Sequence, residues 1–125
     1  MPIELNHTIV RSRDKASAAQ FLAAILGIPL SPQWGPFQPI ELGNGVTLEY
    51  LDVDDDAVRS QHYAFLVDDS TFDAAFARIE AAGIQYWADP FCRQPGRINH
   101  LYGGRGVYFL DPAGHYLELI TAPYL

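Results

Sequence analysis

Gln61-His62-Tyr63-Ala64-Phe65-Leu66-Val67 reads as a β-strand with a histidine near its start, and Leu5-Asn6-His7-Thr8-Ile9-Val10 reads the same way half a chain earlier. The segments after these two strands also match. The first is succeeded by a helical stretch from Lys15 to Leu26 that closes at Gly27-Ile28, and later by Val46-Thr47-Leu48-Glu49-Tyr50-Leu51. The second is succeeded by a helical stretch from Thr71 to Ala82 that closes at Gly83-Ile84, and finally by Tyr116-Leu117-Glu118-Leu119-Ile120. Each half thus carries one histidine in its first strand and one glutamate in its last. His7 and His62 are 55 positions apart, Gly27 and Gly83 56, and Glu49 and Glu118 69. The repeat therefore survives as topology, with the extra positions assigned to a Pro/Gly-containing excursion between Asp89 and Gly106. Two copies that each lack a complete core are expected to close on one another around a shared cleft.

Local signals fill in the elements. Asp14 stands where a helix N-cap is wanted, and Phe21, Leu22, Ile25 and Leu26 recur at helical spacing before Gly27. In the second helix Ser70 with Asp73 three residues on resembles a capping box, ahead of a stripe of Phe72, Phe76 and Ile79. Gly43-Asn44-Gly45 parts Pro39-Ile40-Glu41-Leu42 from Val46 to Leu51 and predicts a hairpin. The second half repeats this more loosely: a strand from Ile84 to Ala88, the long excursion, and a strand from Val107 to Leu110 that turns at Asp111-Pro112-Ala113-Gly114 into the last strand. The expected order is β-α-β-β-β, twice.

With 125 residues, 49% hydrophobic and 13% aromatic, one domain (1–125, module one about 1–55 and module two about 60–125) is expected around a single core. A formal charge of −7 disfavours nucleic acid and anionic membrane, both polyanions. Cys92 is alone, so no intramolecular disulfide is expected. The first residues lack the basic stretch and apolar run of a signal peptide, and no apolar run approaches the roughly 20 residues of a membrane span. A cytoplasmic protein is the expectation.

Strand side chains alternate faces, which groups His7 with Leu5 and Ile9, His62 with Ala64 and Leu66, Glu49 with Thr47 and Leu51, and Glu118 with Tyr116 and Ile120. Leu117 and Leu119 then point into the core. A carboxylate amid an apolar strand is costly to bury unless paired or bound to a metal. Taken singly, a strand histidine is more often structural than a ligand, and a strand glutamate more often faces solvent. Recurrence in both halves favours the metal reading for His7, His62, Glu118 and Glu49, since two imidazoles and one or two carboxylates suit a divalent transition metal with positions left open. The acidic run Asp52, Asp54, Asp55 and Asp56 lacks the glycine and distal glutamate of an EF-hand and reads as a solvated linker. His115, after the Asp-Pro-Ala-Gly turn, reads as structural. Trp34, Phe37, Tyr86, Trp87, Phe91 and Tyr102 are candidates for lining a pocket for an aromatic ligand, with core or dimer packing as the other use. Arg93, Arg97 and Arg105 are candidates for holding an anionic substrate group, although solvated loop arginines are the commoner case.

From Leu5-Asn6-His7 to the closing Asp111-Pro112-Ala113-Gly114-His115-Tyr116-Leu117-Glu118-Leu119-Ile120, the chain resembles the vicinal oxygen chelate superfamily, which includes glyoxalase I, fosfomycin-modifying thiol transferases, extradiol dioxygenases and bleomycin-resistance proteins. The resemblance implies an α+β fold in which two βαβββ modules form a curled, cleft-lined mixed sheet. It implies metal ligands at His7, Glu49, His62 and Glu118, a divalent ion (Fe, Zn, Ni, Co or Mn), a small-molecule substrate with vicinal oxygens, and a homodimer. All four positions are filled as in bacterial glyoxalase I, whereas bleomycin-binding members usually lack the set. The run Ile98-Asn99-His100, then Val107-Tyr108-Phe109-Leu110-Asp111-Pro112-Ala113-Gly114 and Glu118, also resembles the extradiol dioxygenase signature, which implies His100 and Tyr108 as proton handlers. No histidine occurs between His7 and His62 to supply that family's acid-base residue, and Glu49 lies there instead. A glyoxalase-like lyase or isomerase, with Glu49 as base, and an extradiol-type dioxygenase both stand, beside a non-catalytic ligand-sequestering protein of the bleomycin-resistance type.

Overall fold

The two helices and the strands around them divide the structure, a computed structural model describing residues 2–124, into two compact units. One comprises the residues up to Ala24 with Ile28–Arg59, the other Ile25–Gly27 with the residues from Ser60 onward. In the first, β1 (His7–Ser12) leads through α1 (Lys15–Leu26) to the hairpin of β2 (Phe37–Glu41) and β3 (Thr47–Asp52). The three strands lie in the order β1-β3-β2, with β1 parallel and β2 antiparallel to β3. As expected, Asp14 caps α1, its Oδ1 accepting from the Ala16 and Ser17 N–H groups. The hairpin closes where Gly45, at φ +86°, donates to the Leu42 carbonyl.

A fourth strand, expected in this half, is reduced to a single bridge between Trp34 and Phe37 across Gly35-Pro36. The reason lies in Pro29, Pro32 and Pro36, each of which removes an N–H that a ladder would need. Val10, Ile40, Leu48 and Tyr50 share the buried face of this sheet, and Ala18, Ala19 and Leu22 form the buried side of α1. The opposite sheet face carries His7, Ile9, Glu49 and Leu51.

The second unit has the full β-α-β-β-β order: β4 (His62–Leu66), α2 (Asp69–Ala81), β5 (Tyr86–Trp87), β6 (Gly106–Leu110) and β7 (Tyr116–Ile120), in the sheet order β4-β7-β6-β5. The N-cap of α2 is Asp68 rather than Ser70: its carboxylate accepts from the Thr71 N–H at 2.8 Å, and Ser70 Oγ merely supports it. A carboxylate one position before the helix also favours the positive end of the helix dipole, so Asp68 prevails over the weaker hydroxyl cap. Phe72, Ala75 and Ile79 bury the helix against a core that includes Phe65, Val107, Phe109, Leu117 and Leu119, while Phe76 is only half-buried and packs edge-on to Tyr86. β5 is shorter than the expected strand because Ala88 leaves the ladder to donate to Gln94. No helix among the described residues is long and apolar enough to cross a membrane.

One local assembly sets the register of β4 against β7. The buried Asp111 carboxylate accepts from the Ala113 and His115 N–H groups at 2.9 and 2.8 Å, holding the turn through Gly114 at φ +87°. His115, also buried, accepts the Gln61 N–H at its Nδ1 at 3.0 Å, and Ser60 Oγ donates to the Gly114 carbonyl at 2.8 Å. Burial pushes the Asp111 carboxyl up against the pull of those N–H donors and of His115. The result is a parallel ladder with His62 opposite Tyr116 and Ala64 opposite Glu118. Asp111→Ala orphans two N–H groups in this turn and is expected to lower stability by about 2–4 kcal/mol. A urea midpoint unchanged within error would refute the role given to Asp111.

Candidate functional site

Strand alternation puts His62 and Glu118 on one face of the second sheet, a single two-residue step apart along adjacent parallel strands. They meet: His62 Nε2 lies 3.0 Å from Glu118 Oε1. The carboxylate is fully buried, while the His62 side chain is 49% exposed, so the pair links the interior to the surface. His62 Nδ1 lies 3.1 Å from the Tyr116 carbonyl, which can only accept, so Nδ1 carries a hydrogen and Nε2 is the nitrogen presented to Glu118. Nε2 and Oε1 are at hydrogen-bond distance, so one shared proton can bridge them.

Tyr108 completes this row. It stands opposite Glu118 in the β6–β7 ladder, its ring stacks on His62 at 5.9 Å between centroids, and its hydroxyl lies 3.0 Å from that of Tyr124. Tyr124 in turn donates to Glu118 Oε2. Burial, followed by the hydrogen-bonding Glu118 carboxylate, pushes the Tyr108 hydroxyl well above the usual phenol range. Burial likewise pushes the Glu118 carboxyl up, against the opposing pulls of Tyr108 and His62.

The first unit repeats the register. His7 lies opposite Thr47 and Ile9 opposite Glu49, the same two-residue step on parallel strands. His7 Nδ1 lies 2.7 Å from Asn6 Oδ1, so this imidazole too keeps its hydrogen on Nδ1 and presents Nε2. His7 is exposed and Glu49 half-buried. Among the described residues, no three His, Cys, Asp or Glu side chains are grouped closely enough to hold a metal ion.

The remaining candidates sort by their contacts. His115 is the buried structural residue described above. His100 is exposed at the N-cap position of the short 3₁₀ turn Leu101–Gly103, and its side chain makes no capping hydrogen bond there. Arg105 is committed to Asp73 and Asp69 at 2.7 and 3.0 Å and lies 4.4 Å over the Phe72 ring, so its charge is spent inside the unit rather than offered to a substrate anion. The Arg93 guanidinium lies 5.5 Å from the exposed Phe91 ring. Trp87 is buried beside Tyr108, whereas Trp34 is 67% exposed and stacks on Phe37. The acidic linker holds structural ties, Asp55 to Arg13 and Asp52 to Lys15. Sequence reasoning missed Tyr124, which comes after the last strand with no motif or periodicity to mark it.

Comparison with known proteins gives three findings. The family model described as Glyoxalase/Bleomycin resistance protein/Dioxygenase superfamily matches residues 4–119. Glutathione transferase FosA of Serratia marcescens is 30% identical over 120 residues, covering 92% of this chain and 78% of its own length. Among solved structures, oxidase ChaP-H2 aligns with a TM-score of 0.96 at 58% identity over 99% of this chain and 97% of its own, and oxidase ChaP-H1 with 0.95 at 50% over 98% of each.

A carboxyl whose folded-state pKa is raised binds more protons folded than unfolded, so its contribution to stability falls as pH rises through and above the ordinary glutamate range. Glu118→Gln keeps an acceptor for Tyr124 and offers an N–H to His62 Nε2. The variant is expected to melt at a higher temperature than metal-free wild type at about pH 8, an advantage that shrinks as pH falls through and below the ordinary glutamate range and the wild-type carboxyl becomes neutral in both states. A lower melting temperature for Glu118→Gln at the upper pH would contradict the burial penalty.

Proposed function

Because the chain belongs to the Glyoxalase/Bleomycin resistance protein/Dioxygenase superfamily, we propose that it is a divalent-metal-dependent oxidase of a small molecule whose neighbouring oxygen atoms chelate the ion. The observation that carries this reading is the buried Glu118 carboxylate facing His62 Nε2 at 3.0 Å, with His62 Nδ1 tied to a backbone carbonyl. Two donors about 2.1 Å from one ion and at right angles to each other lie about 3.0 Å apart. The pair therefore fits adjacent ligands, and an ion there takes the place of the shared proton. His7 and Glu49 supply the second pair. A set of two histidines and one carboxylate, His7, His62 and Glu118, suits an iron site with open positions, and Glu49 serves as a fourth ligand or as a base.

When bound, such an ion polarises the chelated substrate oxygens and relays electrons to dioxygen. The protein's own part is to hold the substrate edge beside His62, with Tyr108 stacked on that imidazole and its protonated hydroxyl able to donate to a developing oxyanion. The 58% identity to oxidase ChaP-H2 favours oxidation over isomerisation. The 30% identity to glutathione transferase FosA supports a second reading, thiol transfer on the same metal.

His62 and Glu118 alone leave an ion short of protein donors, which supports the reading of His7 and Glu49 as further ligands, from the same chain or from a second copy. The sheet order leaves β1 and β4, the two histidine-bearing strands, at sheet edges, with Leu5 and Leu66 exposed at 66% and 61% beside them. These edges support a homodimer.

Purified protein loaded with Fe, Mn, Co, Ni or Zn is expected to hold about one ion per chain by elemental analysis. His7→Ala and His62→Ala should each weaken binding beyond the roughly 10–100-fold typical of losing a supporting residue. Iron-loaded protein should consume oxygen with catechol-type substrates. Metal uptake with no oxygen consumption but with turnover of glutathione would replace the oxidase reading by the transferase one. Failure of the wild type to take any metal would leave ligand sequestration. Mixed His7→Ala and His62→Ala chains should regain part of the metal if the donor pairs meet across two copies, and none if they meet within one.

A further inference from the structure

The tail beyond β7 is fastened to the turn that precedes β6 at three points. The Thr121 N–H donates to the Arg105 carbonyl at 3.0 Å, and the Arg105 N–H donates to Thr121 Oγ1 at 2.8 Å. Gly104 leaves no space for a side chain, since a Cβ there would lie 2.7 Å from Thr121 Oγ1 and 2.8 Å from Ala122 Cβ. Tyr102 then lays its ring against Tyr124 at 4.7 Å between centroids, from a backbone at φ +56° that a tyrosine adopts only under strain. The strained turn thus spends its unfavourable conformation on aiming one aromatic ring at another, although both rings remain partly in water, Tyr102 60% and Tyr124 40% exposed. Packing into a core does not account for that arrangement; the groups that Tyr124 reaches do. Its hydroxyl donates to Glu118 Oε2, the carboxylate oxygen turned away from His62, with the Tyr108 hydroxyl 3.0 Å beyond.

The geometry points to Tyr124 as a positioning residue for the metal centre: its hydroxyl holds Oε2 so that Glu118 offers only Oε1, beside His62, as a one-oxygen ligand, and Tyr102 holds Tyr124 in place. This role rests on the metal-dependent reading above. A carboxylate free at both oxygens can swing to bind an ion through the pair, filling a position that a chelating substrate needs. The Tyr124 phenol on Oε2 prevents that without touching the ion. The same hydrogen bond orients the carboxylate plane, as outer partners of metal ligands commonly do.

Cobalt(II) titration of the purified protein tests this, because both affinity and visible absorption report the ligand set without any turnover. Tyr124→Phe is expected to bind Co(II) about 10-fold more weakly than wild type. Its visible bands should also weaken as the carboxylate becomes bidentate and the coordination number rises. Tyr102→Gly relieves the left-handed strain, so its metal-free melting temperature should hold or rise while its cobalt affinity falls in the same direction as Tyr124→Phe. A residue that served only the fold would not separate those two readouts. Wild-type affinity and spectrum in Tyr124→Phe, with binding abolished in His62→Ala, overturn the role of Tyr124 and leave the metal centre standing. If wild type takes no cobalt, both are lost.

Discussion

The hydrogen bond from the Gln61 N–H to the buried His115 imidazole, backed by the Asp111 carboxylate inside its turn, is the constraint on which the second unit depends. Strand side chains have a period of two, so a slip of one residue between β4 and β7 would send every one of them to the other face. Gln61 immediately precedes His62, and His115 lies three residues before Glu118. Fixing the first pair therefore fixes the second. A parallel ladder lacks a tight hairpin to set its register, because its strands are joined through α2 and two further strands. The Asp-Pro-Ala-Gly-His turn supplies that missing reference, with the buried Asp111 carboxylate accepting from two backbone N–H groups of the turn and the His115 ring accepting from the Gln61 N–H.

That register has an electrostatic consequence. Glu118 is carried into a place with no exposure, where a lone carboxylate is unfavourable, and three groups answer it: His62 on one oxygen, Tyr124 and Tyr108 around the other. Neither phenol supplies a positive charge, and the imidazole supplies one only while it keeps the shared proton. Glu118 is thus a fully buried carboxylate answered mainly by neutral groups, and that is what favours the proposed metal reading. By contrast, Glu49 in the first unit is half-buried, so it bears less of that penalty and is freer to change partners. The same two-residue step between histidine and glutamate thus recurs in both units with unequal burial of the carboxylate.

Much of this was legible in the chain because it is written in spacing. The histidine at the head of one strand and the glutamate inside another recur in both halves, and the helices Lys15–Leu26 and Asp69–Ala81 are marked by apolar periodicity and a terminal glycine. The features that escaped depend on competition or on distance. Ser70 and Asp68 both suit a cap, and only the geometry of the Thr71 N–H shows that the carboxylate takes it. Three prolines in the segment before Phe37 reduce a strand to the Trp34 bridge, although the repeat argued for a strand there. Arg105 looks like an anion ligand until Asp69 and Asp73, on a helix more than thirty positions earlier, are seen to claim it. Tyr124 carries no signal of its own, since its importance comes from Gly104 and Tyr102 drawing the tail back across Glu118.

Duplication explains why the two histidines present the same nitrogen by different means. In each unit an oxygen acceptor fixes the hydrogen on Nδ1, but the acceptor is a neighbouring Asn6 side chain for His7 and the Tyr116 backbone carbonyl across the ladder for His62. A side-chain acceptor on an exposed strand can rotate away. A backbone carbonyl inside a sheet cannot. His62 is consequently the more rigid of the two imidazoles, matched to a fully buried carboxylate, whereas His7 is exposed and Glu49 half-buried in a sheet of their own. The same register therefore yields a tightly held His–Glu contact in one unit and a more solvated, adaptable placement in the other.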